Sequence, residues 1–118
     1  MTYIISKEFH LSYSHQLFGL RDGHPCGRVH GHNAIVKITL ERAVLDETGF
    51  VLDYGDLTPL GTYLNDTFDH RHLNDVFTWQ PSAENLAHWL YDWCASLGWP
   101  VSEVAWSETP KTWATYRP

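Results

Sequence analysis

Apolar and polar positions alternate from Tyr3 to His15. Tyr3, Ile5, Lys7, Phe9, Leu11, Tyr13 and His15 fall on one face of an extended chain, and Ile4, Ser6, Glu8, His10, Ser12 and Ser14 fall on the other. A period of two marks a half-buried strand. His15 closes the more apolar series, so it can point into a core-lined site. Over residues 16–29 the pattern stops, and Gly19, Gly23, Pro25 and Gly27 mark a loop. Alternation resumes over residues 34–42, where Val36, Ile38 and Leu40 share a face. That predicts a second strand starting just after His30 and His32. Residues 46–49 (Asp-Glu-Thr-Gly) read as a turn and 50–52 as a short extended piece.

Two helices follow. Leu57, Leu60, Leu64 and Phe68 recur at three-to-four spacing. The helix should start near Asp53 or Asp56, with Asp56 as the favoured cap, because Pro59 is harmless only in a first turn. Residues 69–74 read as a loop. Pro81-Ser82 then opens a second helix, with a stripe of Leu86, Trp89, Leu90, Trp93 and Leu97, and Gly98 and Pro100 end it. Residues 101–108 make a third strand with Val104, Trp106 and Glu108 on one face, and 111–117 a fourth. The expected class is α+β, in the order ββααββ: a four-stranded antiparallel sheet with two helices on one face. The uncovered face would carry Ser6, Glu8, His10 and Ser12. Such a sheet also leaves unpaired edges, which closing several sheets into a barrel would remove.

The totals narrow the function. A length of 118 residues points to one domain, 1–118, able to bury roughly two-thirds of its unfolded surface. The formal charge is -6 with the basic residues scattered, which argues against a nucleic-acid partner. Cys26 and Cys94 make no disulfide framework and read as reduced thiols. Neither a signal peptide nor a membrane-spanning run is present in the pattern, so a cytoplasmic location is expected and no membrane partner.

Eight histidines are many for this length, and two of them sit in Cys26-Gly27-Arg28-Val29-His30-Gly31-His32. In an extended chain His30 and His32 leave the same face with Cα atoms roughly 6.5 Å apart, so both rings can converge on one metal ion. A zinc site with three protein ligands keeps a fourth position for chemistry. Cys26 could be a base, a fourth ligand or a small buried hydrophobe. Glu108 is a carboxylate on an otherwise apolar face and requires a partner. Asp69-His70 could be an oriented acid–base pair, although neighbours in sequence need not touch. Ser82 and Glu84 read equally as helix-capping or ligand-binding residues.

Taken together, His15, the Cys26–His32 segment, Asp69-His70 with Leu73-Asn74-Asp75, the run Pro81-Ser82-Ala83-Glu84-Asn85-Leu86-Ala87 and Ser107-Glu108-Thr109-Pro110 give the chain a likeness to a known family. It resembles the 6-pyruvoyl-tetrahydropterin synthase family and, more narrowly, its bacterial 6-carboxytetrahydropterin synthase branch, which acts in making queuosine. The resemblance covers nearly the whole chain. It implies the tunnelling fold, or T-fold, with subunits joined into barrels, by likeness two trimers face to face. It implies that His15, His30 and His32 bind zinc, that Cys26 is the proton-abstracting base, that Asp69 and His70 form a relay and that Glu108 holds the pterin. Ser82 and Glu84 are further candidates for the pterin, and Arg28, Arg21 and Arg71 for its triphosphate. Leu11-Ser12-Tyr13-Ser14 departs from relatives that often carry small residues there, and Ser82 stands where threonine is common. The implied substrate is 7,8-dihydroneopterin triphosphate. Three residues between Cys26 and His30, as in the carboxy branch, imply acetaldehyde, triphosphate and 6-carboxytetrahydropterin as products. The rivals are the pyruvoyl reaction, an aldolase-like activity and a non-catalytic zinc-binding oligomeric module.

Overall fold

A computed structural model describes residues 1–118. Its elements are β1 (Tyr3–His15), β2 (His30–Arg42), α1 (Thr58–Thr67), β3 (Arg71–His72), α2 (Leu73–Val76), α3 (Ala83–Ser96), β4 (Val101–Thr109) and β5 (Thr112–Tyr116). No helix is long and apolar enough to cross a membrane.

The sheet has five strands in the order β3-β1-β2-β4-β5, not four. β1 and β2 pair antiparallel along their whole length, from Tyr3 opposite Arg42 to His15 opposite His30. At about 3.4 Å per residue this hairpin sets the long dimension of a chain measuring 55 × 27 × 25 Å. β2 therefore begins at His30, four residues earlier than periodicity suggested, and both histidines lie inside the strand. Their polarity hid the strand, because at this end the inward positions hold imidazoles rather than aliphatics. The added strand, β3, pairs parallel with Tyr13 and Ser14 and is only two residues long. It is too short for an alternation signal and lies inside the loop expected over 69–74, which also holds the first two residues of α2.

One face of the sheet is covered. Leu11, Val36, Ile38, Leu40, Val104 and Trp106 pack against Leu57, Leu60, Leu64 and Phe68 from the first helical segment and Leu86, Leu90 and Cys94 from α3. Ile4, Ser6, Glu8 and His10 on the other face are exposed. The first helical segment is capped by Asp53 rather than Asp56. Asp53 accepts the Gly55 N–H and starts a 3-10 turn, Tyr54–Leu57, that runs into α1, and Asp56 lies within that turn. Residues 51–52 form a bend where an extended piece was expected over 50–52, although Val51 is buried. On α3 the inward stripe is Leu86, Leu90 and Cys94, one residue every turn, joined by Ala83 and Ala87. Trp89 and Leu97 fall outside it, 39% and 45% exposed. The Trp89 indole N–H donates to Tyr63 Oη at 2.9 Å along the helix surface. Gly98, at φ +81°, takes the left-handed conformation that ends α3.

Candidate active site

The ends of β1 and β2 place three imidazoles together. His15 is fully buried, and His30 and His32 are half-buried. His15 lies opposite His30 in the ladder, and His32 follows two residues later on the same face. Gly31 between them lets the strands approach, since a Cβ there would meet the Tyr13 carbonyl oxygen at 3.2 Å. Ring centroids are 4.5 to 5.2 Å apart, and one ligand atom from each ring lies within 4.8 Å of the others.

The outer nitrogens fix the inner ones. His15 Nδ1 sits 2.7 Å from the Pro81 carbonyl and His30 Nδ1 2.7 Å from the Arg28 carbonyl. A carbonyl only accepts, so each Nδ1 carries the hydrogen and each Nε2 presents a bare lone pair. Those two lone pairs face each other at 2.9 Å. His32 Nε2 is buried with no hydrogen-bond partner. Burial, above all, holds the His15 and His32 imidazoles below their ordinary range, so both are neutral near pH 7. Three converging imidazole nitrogens, one of them buried without a partner, fit a divalent metal of the zinc type. Carbonyls on the far ring nitrogens are the usual means of aiming such ligands.

Glu108 stands beside this group. Oε1 is 3.8 Å from His15 Nε2 and Oε2 is 3.6 Å from His32 Nε2. Between Trp106 and Thr109 the pairing of β4 with β5 shifts register, a bulge of the kind that re-aims side chains next to sites. Glu108 and Glu84 line one cleft of about 110 Å³ with Trp106 and Trp113. Tyr13, which the sequence did not single out as a site residue, joins Glu108 at 3.3 Å and Trp106 Nε1 at 3.2 Å. Burial, then the Glu108 charge, pushes its phenol well above the usual range, so it stays protonated. Its signal was present: it precedes His15 by two on the same strand face.

Cys26 is half-buried in a 3-10 turn, Pro25–Gly27, that leads toward β2. Its N–H donates to His24 Nδ1 at 3.0 Å and its carbonyl accepts from Leu17 N–H. Its thiol is not one of the clustered ligand atoms. Arg28 and Arg21 are exposed along a neighbouring cleft of about 310 Å³. Ser82 Oγ accepts the Asn85 N–H and caps α3. Cys94 is buried, its thiol pushed up to about 12 by burial.

Asp69 and His70 do touch, with His70 Nδ1 3.0 Å from Asp69 Oδ2. Asp69 Oδ1 also accepts the Ser12 N–H at 2.8 Å, which with His70 keeps the carboxyl below its usual range. His70 reaches this pose in the left-handed region, at φ +59°, uncommon for a side chain with a Cβ. The Ser12 carbonyl, accepting the His70 N–H at 2.7 Å, holds it there. The pair lies at the free edge of β1, with His70 81% exposed. The cleft that His70 lines, with Ser12, Ser14, Arg71 and His72, includes neither Cys26 nor the three clustered histidines.

Fold and site together define an α+β protein with a metal-capable three-histidine centre at one end of its sheet. The chain belongs to the 6-pyruvoyl tetrahydropterin synthase family, which its residues 4–118 match. It is 30% identical to the 6-carboxy-5,6,7,8-tetrahydropterin synthase of Bacillus subtilis over 127 residues, covering 97% of this chain and 84% of that one. The structure of Caenorhabditis elegans 6-pyruvoyl tetrahydropterin synthase superposes with a TM-score of 0.86 at 25% identity, over 100% and 96% of the two chains. Wolinella succinogenes protein WS1659 shares the fold, with a TM-score of 0.84 at 21% identity over 99% and 98%. The protein is thus a pterin synthase of the lyase kind with the T-fold, and its likeness to the Bacillus enzyme supports the carboxy branch.

Proposed function

We propose that the chain, as a single domain, is a zinc-dependent 6-carboxytetrahydropterin synthase. It would convert 7,8-dihydroneopterin triphosphate and water to 6-carboxy-5,6,7,8-tetrahydropterin, acetaldehyde and triphosphate, supplying queuosine and related deazapurines. The observation that carries this reading is the convergence of three imidazole nitrogens beside Glu108 in a member of this family. Zinc held by His15, His30 and His32 would acidify the side-chain hydroxyls of the substrate and the C–H bonds next to them.

The chain's own groups do the rest. Glu108 accepts the flat donor pair of the pterin through its two oxygens. Glu84, in the same cleft, and Ser82 border the pterin, and Arg28 meets the triphosphate. Cys26, as thiolate, takes the proton. Asp69 fixes the His70 tautomer, and His70 passes protons on. On one chain that relay faces outward from the edge of β1, which supports an assembly in which another subunit's Cys26 approaches it. A homohexamer, built as a dimer of trimers in the cytoplasm, fits this reading. The spacing Cys26-Gly27-Arg28-Val29-His30 supports the carboxy product, because a base takes only the proton within its reach.

The experiment is incubation of metal-loaded protein with dihydroneopterin triphosphate, trapping of volatile aldehyde and product masses. Acetaldehyde together with a one-carbon pterin side chain is expected. Triphosphate release without acetaldehyde, with all three side-chain carbons retained, would replace this reading by the pyruvoyl reaction.

A further inference from the structure

Tyr13 takes no part in the roles assigned above, yet it touches most of the centre. Its ring lies edge-on to His15, with centroids 5.1 Å apart, and tilted against His32 at 5.6 Å. The residue is 4% exposed. Its hydroxyl meets two partners, and their chemistry sets the direction of both bonds. Trp106 Nε1 can only donate, so the phenol oxygen accepts there at 3.2 Å. The phenol hydrogen is then left for Glu108 Oε1 at 3.3 Å.

Glu108 needs such a restraint. Its two oxygens lie 3.8 Å and 3.6 Å from the Nε2 atoms of His15 and His32. Carboxylate oxygen is itself a good zinc ligand, and three nitrogens plus one oxygen complete a closed four-coordinate set. A small rotation of an unrestrained Glu108 side chain would complete that set. It would also remove the oxygen that the pterin is to meet.

We propose that Tyr13 is a positioning residue whose hydroxyl holds Glu108 off the three-histidine centre, keeping one metal position open and the carboxylate turned toward the pterin. This rests on the metal reading of His15, His30 and His32 given above.

The test uses the full-length protein and Tyr13→Phe, which removes only the hydroxyl. Zinc affinity is read by chelator competition, and coordination by the visible spectrum of the cobalt(II) form. Tyr13→Phe is expected to bind zinc roughly tenfold more tightly, the scale on which groups behind metal ligands act. Its cobalt spectrum should shift, and the Tyr13→Phe/Glu108→Gln pair should restore the original. Glu108→Gln alone should leave the cobalt spectrum as it was. Unchanged affinity and spectrum in Tyr13→Phe would leave the tyrosine a packing residue and overturn the proposal. So would a spectrum that shifts with Glu108→Gln alone, which would make Glu108 a ligand already. If the unaltered protein binds no zinc, the metal reading itself fails and takes the proposal with it.

Discussion

Cys26 and His30 are four positions apart, yet they should respond differently to truncation. His30 presents a bare Nε2 to the centre, whereas the Cys26 thiol lies outside the cluster of ligand atoms. Cys26→Ala is therefore expected to keep one zinc per chain and its melting temperature while turnover disappears, because the base is lost and the ligands remain. His30→Ala should lose zinc and turnover together. Metal content by elemental analysis, read beside single-turnover product formation, checks both. Loss of zinc from Cys26→Ala would make the cysteine a ligand and end its role as base. At this scale the residues themselves were legible from the chain: a histidine closing the first strand, a His-Gly-His run before the second, a cysteine upstream and a carboxylate on an apolar strand face. Tyr13 shares the His15 face in the sequence pattern, but its role was not legible, because that depends on Trp106 and Glu108, 93 and 95 residues away in sequence.

Among the elements, α3 begins at a residue with two candidate roles, of which the fold displays the cap. Ser82 caps its N-terminus through the Asn85 N–H. Ser82→Ala should cost about 1 kcal/mol, the usual worth of a serine cap. For a domain of this size that is a fall of roughly 4 °C in melting temperature. Capping alone predicts no change in pterin KM. A KM that rises several-fold while the protein stays folded would show Ser82 meeting the pterin as well, so calorimetry and kinetics on one variant separate the two roles. Element boundaries were hardest to read where side chains serve the site. β2 begins with His30-Gly31-His32-Asn33, which lacks a run of aliphatics, yet its ladder with β1 is continuous.

Across the whole molecule, the outward sheet face and the free edge of β1 are what a single chain leaves open. β3 pairs only with Tyr13 and Ser14, so no ladder covers β1 from Tyr3 to Leu11 on that side. An uncovered edge of that length is a template for pairing with another chain. The outward position of Asp69-His70 points the same way. Light scattering at micromolar concentration is expected to give a hexamer mass with no monomer. A strictly monomeric species that still turns over would require the relay to work within one chain, contrary to its place at the edge of β1.

The sequence by itself determined the local alternatives: a period of two for β1 and β2, a period near 3.6 for α1 and α3, and Gly and Pro where the chain turns. These follow from the geometry of neighbouring residues. It also put His30 and His32 on one strand face, since two residues of extended chain return a side chain to the same side. Only the tertiary structure decided what lies across the ladder or between layers. The β1–β2 register set His15 opposite His30. The loop before α3 brought the Pro81 carbonyl to His15 Nδ1, and the Arg28 carbonyl met His30 Nδ1. Those two carbonyls select the tautomers that leave Nε2 bare. A positive φ at His70, held by the Ser12 carbonyl, decided that it touches Asp69. Contacts between residues far apart in sequence are set by register and packing, which no short-range pattern encodes.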